Sequence, residues 1–293
     1  MTPDSPPAPV SARTLRDDAV AVLTRAGVPD PDVDAELLLG HVLGVSRGRV
    51  QALVVLEETI AAAEVARFRE VLERRASREP LQHITGRAPF RSLELNVGPG
   101  VFVPRPETEQ VAQFAIDALR AIPSPSPVAV DLGTGSGAIA LALATEVPHA
   151  RVYAVENSPE AFIWMRRNAD EIGAANLTPV FVDLGEALPE LDGTVDVVIS
   201  NPPYVPDDAV PRDPEVRLHD PHAALYGGPD GLDVVRTISR VARRLLHPGG
   251  TLVLEHGELQ GAAIRELLTA GGWRAAATHR DLTTRDRTTT ALR

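Results

Sequence analysis

The chain has no cysteine in its 293 residues, which excludes disulfides, thiolate zinc sites and cysteine nucleophiles. It also lacks an apolar run long enough to span a bilayer, although 44% hydrophobic residues suffice for a packed core. The proline-rich first stretch, Met1 to Val10, has no apolar h-region and does not read as a secretory signal. Residues 1–10 read as a disordered tail, and the absence of an export signal points to the cytoplasm. Positive charge is scarce: 29 basic against 40 acidic side chains give a formal net charge of −11. Phosphate backbones need a basic footprint, so no stable nucleic-acid binding and no membrane partner are expected. The eight histidines show no metal-ligand spacing, so no metal is expected.

What is present divides into two patterns. Residues 11–78 read as a small helical bundle. Leu15, Ala19 and Leu23 recur at helical spacing and stop at Gly27. Asp30 before Pro31 predicts a helix start, followed by Ala35, Leu38, Leu39 and Val42. Ser46 reads as the cap of a third helix through Val50 and Leu53. A fourth, Glu58 to Arg75, puts Val65, Phe68, Val71 and Leu72 on one face. With no catalytic constellation, this part reads as a recognition or support domain.

Leu81 to Gly86 and Phe90 to Val97 read as two strands of a β-hairpin linker, residues 79–104. Val101-Phe102-Val103 reads as a strand leading into a helix at Pro106, whose first turn carries acids. Helix-start electrostatics accounts for Arg105 and Glu107 unless that segment faces a site. Beyond the spacer Pro123–Pro127, strands are predicted at Val128–Leu132, Arg151–Glu156, Thr178–Asp183 and Val195–Ser200. Further strands fit Thr251–Glu255, Trp273–Thr278 and Thr288–Leu292. Helices fit Ala138–Glu146, Pro159–Ile172, Leu232–Leu246 and Glu258–Ala270. Such alternation makes residues 105–293 an α/β domain with a parallel sheet covered on both faces. Trp164 and Trp273 read as core residues.

Two stretches carry chemistry. Asp131-Leu132-Gly133-Thr134-Gly135-Ser136-Gly137 follows the first strand of this domain and opens a helix. Glycines there let the backbone approach a ligand closely. Glu156 closes the second strand, where a carboxylate can accept ribose hydroxyls. Asp183 and Leu184 close the third, placed for an adenine edge and face. An acid directly before the glycines would repel a pyrophosphate but attracts the ammonium of a methionine moiety. S-adenosylmethionine is therefore a better ligand for the loop than a dinucleotide; a plain glycine turn capped by Asp131 is the alternative.

The second stretch is Asn201-Pro202-Pro203-Tyr204, at the end of an apolar strand. Two prolines stiffen the turn and remove two donors. Asn201 offers a carboxamide and Tyr204 a flat face, a setting suited to a planar, uncharged –NH₂ group. A proline turn with Asn201 capping and Tyr204 packing is the plainer alternative.

In this order, several segments carry a resemblance. They are Pro80 to Gly86, Pro104-Arg105-Pro106-Glu107-Thr108-Glu109, the Asp131–Gly137 loop, Asn201 to Tyr204, Asp213 to Val216, Gly227 to Leu232, and Leu254-Glu255-His256-Gly257. Nearly the whole chain resembles the protein-glutamine N5-methyltransferases that act on bacterial peptide-chain release factors, the HemK-like enzymes. The resemblance implies a class I S-adenosylmethionine-dependent methyltransferase, with a Rossmann-like seven-stranded sheet behind an N-terminal helical substrate-recognition domain. It implies the glutamine of a Gly-Gly-Gln loop as acceptor and S-adenosyl-L-homocysteine as product. The cofactor residues map to Gly133–Gly137 and Glu156. The position after the third-strand acid is often aromatic in the family; here it is Leu184, so apolar contact replaces stacking. The family commonly has glutamate where Asp220 precedes Pro221, and a glycine within the Asp281–Arg287 turn that this chain lacks.

The chemistry needs alignment more than covalent help. The expectation is that the Asn201 side-chain oxygen and the Pro202 carbonyl each accept one N–H of the substrate amide. Tyr204 then packs on the amide plane, Pro203 stiffens the rim, and Asn201 also borders the cofactor. The long stretch from Pro206 to Pro229 reads as a lid or a crossover, with Arg212, Arg217 or His219 available to a partner. The rivals are a ribosomal-protein glutamine methyltransferase and a DNA adenine-N6 methyltransferase, whose flipped base presents a similar amine. A cofactor-binding scaffold without turnover is a third.

Overall fold

The computed structural model describes residues 10–293. The expectation of a tail over 1–10 lies outside the described residues, apart from Val10. Val10–Ser11 (β1) pairs antiparallel with Thr59–Ile60 (β2). The chain forms two compact units, Met1–Gly86 with Arg212–His219, and Arg87–Pro211 with Asp220–Arg293.

The first unit is helical. Ser11 caps Ala12–Arg25 (α1) by accepting from Thr14 N at 3.1 Å. Pro31–Leu43 (α2) starts on its proline and stops at Gly44. Ser46 caps Arg47–Val55 (α3) and is followed by Ala62–Ala76 (α4). Leu15, Leu23, Leu38, Leu39 and Phe68 meet in the core, as their spacing predicts. Leu81–Thr85, expected as a strand, is instead a short helix (α5). Pro80 starts it, left-handed Gly86 (φ 73°) stops it, and buried Ile84 joins the helical core. Apolar runs this short do not separate helix from strand by pattern.

The second unit opens with a hairpin, Arg87–Phe90 (β3) against Leu93–Asn96 (β4), so the stretch from Phe90 to Val97, expected as one strand, is broken by a turn at Arg91–Ser92. The Val101–Val103 segment is not a strand; its valines pack irregularly with Ala88, Val97, Ala161 and Trp164. Pro106–Ala121 (α6) follows, starting on its proline. Then come Val128–Leu132 (β5), Ala138–Glu146 (α7), Arg151–Glu156 (β6), Pro159–Ile172 (α8), Leu177–Phe181 (β7) and Val195–Ser200 (β8).

Beyond β8 the chain is not structureless. Pro214–His219 (α9) belongs to the helical unit, and His222–Leu225 (α10) follows. Within the helical unit Glu215 accepts from Arg78 Nε and Arg75 Nη1, both at 2.7 Å, and Arg75 Nε reaches Asp34 Oδ2 at 2.7 Å. Burial pushes the Glu215 carboxyl up, but bonds from Arg78 and Arg75 outweigh it and hold it well below the usual carboxylate range. Asp233–Leu245 (α11), Leu246–Glu255 (β9), Gly261–Ala270 (α12), Arg274–Arg280 (β10) and Asp286–Leu292 (β11) complete the chain.

The seven strands run in the order β10-β11-β9-β8-β5-β6-β7. β9, β8, β5, β6 and β7 are parallel, and β11 is antiparallel to both its neighbours. Alternate residues of the central strands feed opposite cores. Ala129, Val197 and Ile199 enter one; Val128, Val130, Leu132 and Val198 enter the other. Trp273 is buried in the latter, its indole donating to Ser239 Oγ at 2.9 Å. Strand order reverses between β5 and β8, so the crevice at their carboxyl ends is the place for a ligand. Among the described residues no helix is long and apolar enough to cross a membrane.

The turn between β10 and β11 puts Thr284 at φ 68°. A β-branched residue is strained there. Thr284→Gly is expected to stabilise the fold by about 1 kcal/mol, the strain relieved less the extra chain entropy. The urea unfolding midpoint measures it; an unmoved or lower midpoint would show the turn to be relaxed.

Candidate active site

The glycine loop sits at the carboxyl end of β5. Gly133 and Thr134 N–H donate to Val155 O at 2.9 and 3.0 Å, which ties the loop to β6. Gly135 has φ 58°, and a side chain there would project into open space. That space is what a ligand against the backbone requires. Asp131 is fully buried. Its Oδ2 accepts from Thr134 Oγ1 at 2.6 Å and from Ala140 N at 3.2 Å, so one oxygen does cap the helix. Its Oδ1 is buried with no hydrogen-bond partner. Burial pushes this carboxyl up to about 7, against the pull of the Thr134 and Ala140 bonds. An orphaned, desolvated acceptor beside a glycine cradle fits the ammonium of an amino acid moiety.

Glu156 stands at the end of β6, where its Oε2 accepts from Gly135 N at 2.8 Å. Its Oε1 accepts from Asn157 N at 3.0 Å and Ser158 N at 2.9 Å. Three of about four acceptor positions are thus engaged by backbone. Asp183 and Leu184 do not close the third strand, which ends at Phe181. Asp183 caps a short 3₁₀ turn, accepting from Gly185 N at 2.9 Å, and Leu184 begins that turn. Buried Ser136 offers its carbonyl to Asn168 Nδ2 at 2.9 Å, fixing the loop to α8.

The Asn201–Tyr204 turn lies beside this loop. Ser200 Oγ donates to Leu132 O at 2.6 Å, so the residue before Asn201 is bonded to the residue before Gly133. Pro202 is buried, and among the described residues its carbonyl accepts no hydrogen bond. The rim is held from behind by the Gly227–Leu232 segment. Val205 bridges Tyr226, and Tyr204 O accepts from Gln260 Nε2 at 2.9 Å. A Cβ on Gly227 would lie 2.5 Å from Pro203 O, and one on Gly231 2.2 Å from Tyr204 O. Only glycines permit that approach. Burial, then the charge of Glu255, raises the Tyr204 hydroxyl above its ordinary range, so it stays a neutral phenol.

The helix start at Pro106 carries acids in its first turn, as expected, and also reaches the Asn201 turn. Asn201 Nδ2 lies 3.3 Å from Thr108 Oγ1. Arg105 pairs with Asp220 at 2.7 Å, so the aspartate preceding Pro221 retains an ionic role. Sequence reasoning assigned nothing to Glu255, which ends β9 beside Asn201, or to Arg287 on β11. Arg287 Nη1 donates to His256 O at 3.2 Å and approaches Tyr204 OH at 3.5 Å. The available signal was a carboxylate directly after the apolar, buried run Leu252-Val253-Leu254.

A parallel sheet with a glycine cradle, an orphaned acid and an adjoining amide-and-proline rim defines a methyltransferase dependent on S-adenosylmethionine. The family described as PrmC N-terminal domain matches residues 14–86, and that described as methyltransferase domain matches residues 124–284. A release factor glutamine methyltransferase from Streptomyces coelicolor is 52% identical, over 92% of this chain and 93% of its own length. A 4-amino-L-phenylalanine/4-methylamino-L-phenylalanine methyltransferase from Streptomyces pristinaespiralis is 40% identical, over 90% of this chain and 89% of its own. A methyltransferase structure from Pyrococcus furiosus shares the fold, with TM-score 0.50 and 21% identity over 69% of this chain and 89% of that one. The chain belongs to the release factor glutamine methyltransferase family.

Proposed function

We propose that this enzyme methylates the side-chain amide nitrogen of the glutamine in the Gly-Gly-Gln loop of peptide-chain release factors. S-adenosylmethionine held at the glycine cradle would supply a methyl group on a sulfonium, with S-adenosylhomocysteine as the product. Asp131 Oδ1 holds the ammonium of its methionine moiety. Gly133, Thr134, Gly135, Ser136 and Gly137 line the approach, with Asp183 and Leu184 towards the adenine. Glu156 takes a ribose hydroxyl as Gly135 N–H gives way to it. At the rim, Asn201 Oδ1 and the Pro202 carbonyl each accept one N–H of the substrate amide. Both acceptors lie in the amide plane, so the nitrogen is aimed rather than merely bound, and its lone pair is favoured in the less planar form of the transition state. Pro203 keeps the rim stiff and Tyr204 packs on the amide face. The surplus proton leaves after transfer, so the rim needs no general base.

The observation that supports this reading is the Ser200–Leu132 bond at 2.6 Å, which joins the –NH₂ rim to the cofactor loop. We assign partner recognition to the helical unit, which includes residues Arg212–His219 downstream of the rim. The acidic balance of the chain supports a protein partner in the cytoplasm over DNA. Labelled S-adenosylmethionine offered to release factors, ribosomal proteins, DNA and 4-amino-phenylalanine in parallel is the test. Label on the glutamine of the Gly-Gly-Gln loop, located by mass spectrometry, is the expected result. Label confined to any other substrate would overturn the assignment.

A further inference from the structure

We propose that Glu255 is a positioning residue: acting through the Thr108 hydroxyl, its carboxylate decides which end of the Asn201 carboxamide faces the substrate nitrogen. The inference rests on the role given to Asn201 above. Glu255 is 1% exposed, and its Oε2 is buried with no hydrogen-bond partner. It neighbours Asn201 because β9 lies beside β8, with Leu254 paired to Ser200.

A carboxylate accepts and never donates. Buried Thr108 favours the charged form of Glu255 as a hydrogen-bonding side chain, which directs its one hydroxyl proton to that carboxylate. Its lone pairs then face Asn201, and only the nitrogen end of a carboxamide can meet them. Asn201 Nδ2 is the atom found at 3.3 Å from Thr108 Oγ1. Asn201 likewise favours the charged form of Glu255. Both effects draw the NH₂ inward and leave Oδ1 for the substrate. If Glu255 carries a proton, it can donate to Thr108, Thr108 can donate to Asn201, and the carboxamide can turn over. Its NH₂ would then confront the substrate NH₂, donor against donor.

The charged and titratable groups facing Glu255 are Glu107 from α6, Arg287 from β11 and Tyr204 from the turn after β8. Burial is the largest influence and pushes Glu255 up to about 7; Thr108, Arg287 and Asn201 oppose it, and Glu107 reinforces it. The reversal therefore falls in the neutral range.

Glu255→Gln and Thr108→Val test this, assayed with release factor at saturating S-adenosylmethionine so that Asp131 does not contribute. Each variant is expected to lose about 10- to 100-fold in kcat at pH 8, a cost typical of lost positioning. KM for S-adenosylmethionine should stay within about two-fold. Wild-type kcat should fall about tenfold per pH unit below about pH 7, and this acid limb should vanish in both variants. The double variant should cost no more than the worse single one. Since burial favours an uncharged side chain here, Glu255→Gln should melt above wild type at pH 8, which separates lost turnover from lost folding. A wild-type kcat with an intact acid limb in Glu255→Gln overturns the proposal. Asn201→Ala, run alongside, distinguishes the failures. Full turnover there removes the Asn201 role as well, whereas an inactive Asn201→Ala beside an unimpaired Glu255→Gln removes the Glu255 role alone.

Discussion

Replacing Asn201 with alanine is expected to lower kcat by about 100-fold or more, with S-adenosylmethionine affinity changed only a few-fold. An amide nitrogen is a poor nucleophile because its lone pair is shared with the carbonyl. The rim must therefore hold both its hydrogens in fixed directions, and alanine removes one of the two acceptors. The Pro202 carbonyl remains, so the substrate still binds but rotates about its single bond. The side chain is half-buried and neutral, and its Nδ2 meets the Thr108 hydroxyl at 3.3 Å, so truncation breaks no ion pair. Single-turnover kinetics with pre-bound cofactor isolate the transfer step. Turnover close to wild type would remove Asn201 from the mechanism.

The second large effect concerns Asp131. Asp131→Asn is expected to weaken S-adenosylmethionine binding about 100-fold at pH 8, since the ammonium loses a buried counter-charge. The pH dependence has a definite sign. Burial raises the unliganded Asp131 carboxyl to about 7, whereas binding an ammonium requires it ionised. Wild-type affinity should thus fall about tenfold per pH unit below about pH 7 and level off above it. The asparagine variant should show no such slope. Calorimetry in two buffers of different ionisation enthalpy would detect the proton released on binding near neutrality. The same shift destabilises the unliganded fold as pH rises. The contribution of a raised carboxyl is fully present below its unfolded value and is lost through about pH 7, and Glu255 adds to it. A flat affinity profile in the wild type would show that Asp131 does not meet the ammonium.

The strands around the site were legible in the sequence because they are buried on both faces. Val128–Leu132, Arg151–Glu156 and Val195–Ser200 are predicted and found with the same bounds. The glycine loop and the double proline were legible because their backbone needs are local. Leu81–Thr85 was not, since five residues carry too little period and the helical core decided their form. Glu255, Thr108 and Arg287 escaped for another reason. Strand order and the seat of α6 on β8 and β9 bring Glu255 and Thr108 to Asn201 and Arg287 to Tyr204, and neither leaves a trace in spacing. The glycines at 227 and 231 could be seen as a motif, but their purpose, clearance for two carbonyls of the rim, exists only in three dimensions.

The Glu215 cluster bears on how such an enzyme could acquire a new target. On the function proposed above, the rim accepts a nitrogen with two hydrogens whatever carries it, and selectivity for the partner is assigned to the helical unit. That unit is not a simple N-terminal cassette. A chimera that exchanged only residues 10–86 would strand the Glu215 carboxylate without Arg75 and Arg78, and an uncompensated buried charge costs about 3–5 kcal/mol. Retargeting therefore calls for two grafts made together, the helices and the eight residues from Arg212 to His219 that travel with them.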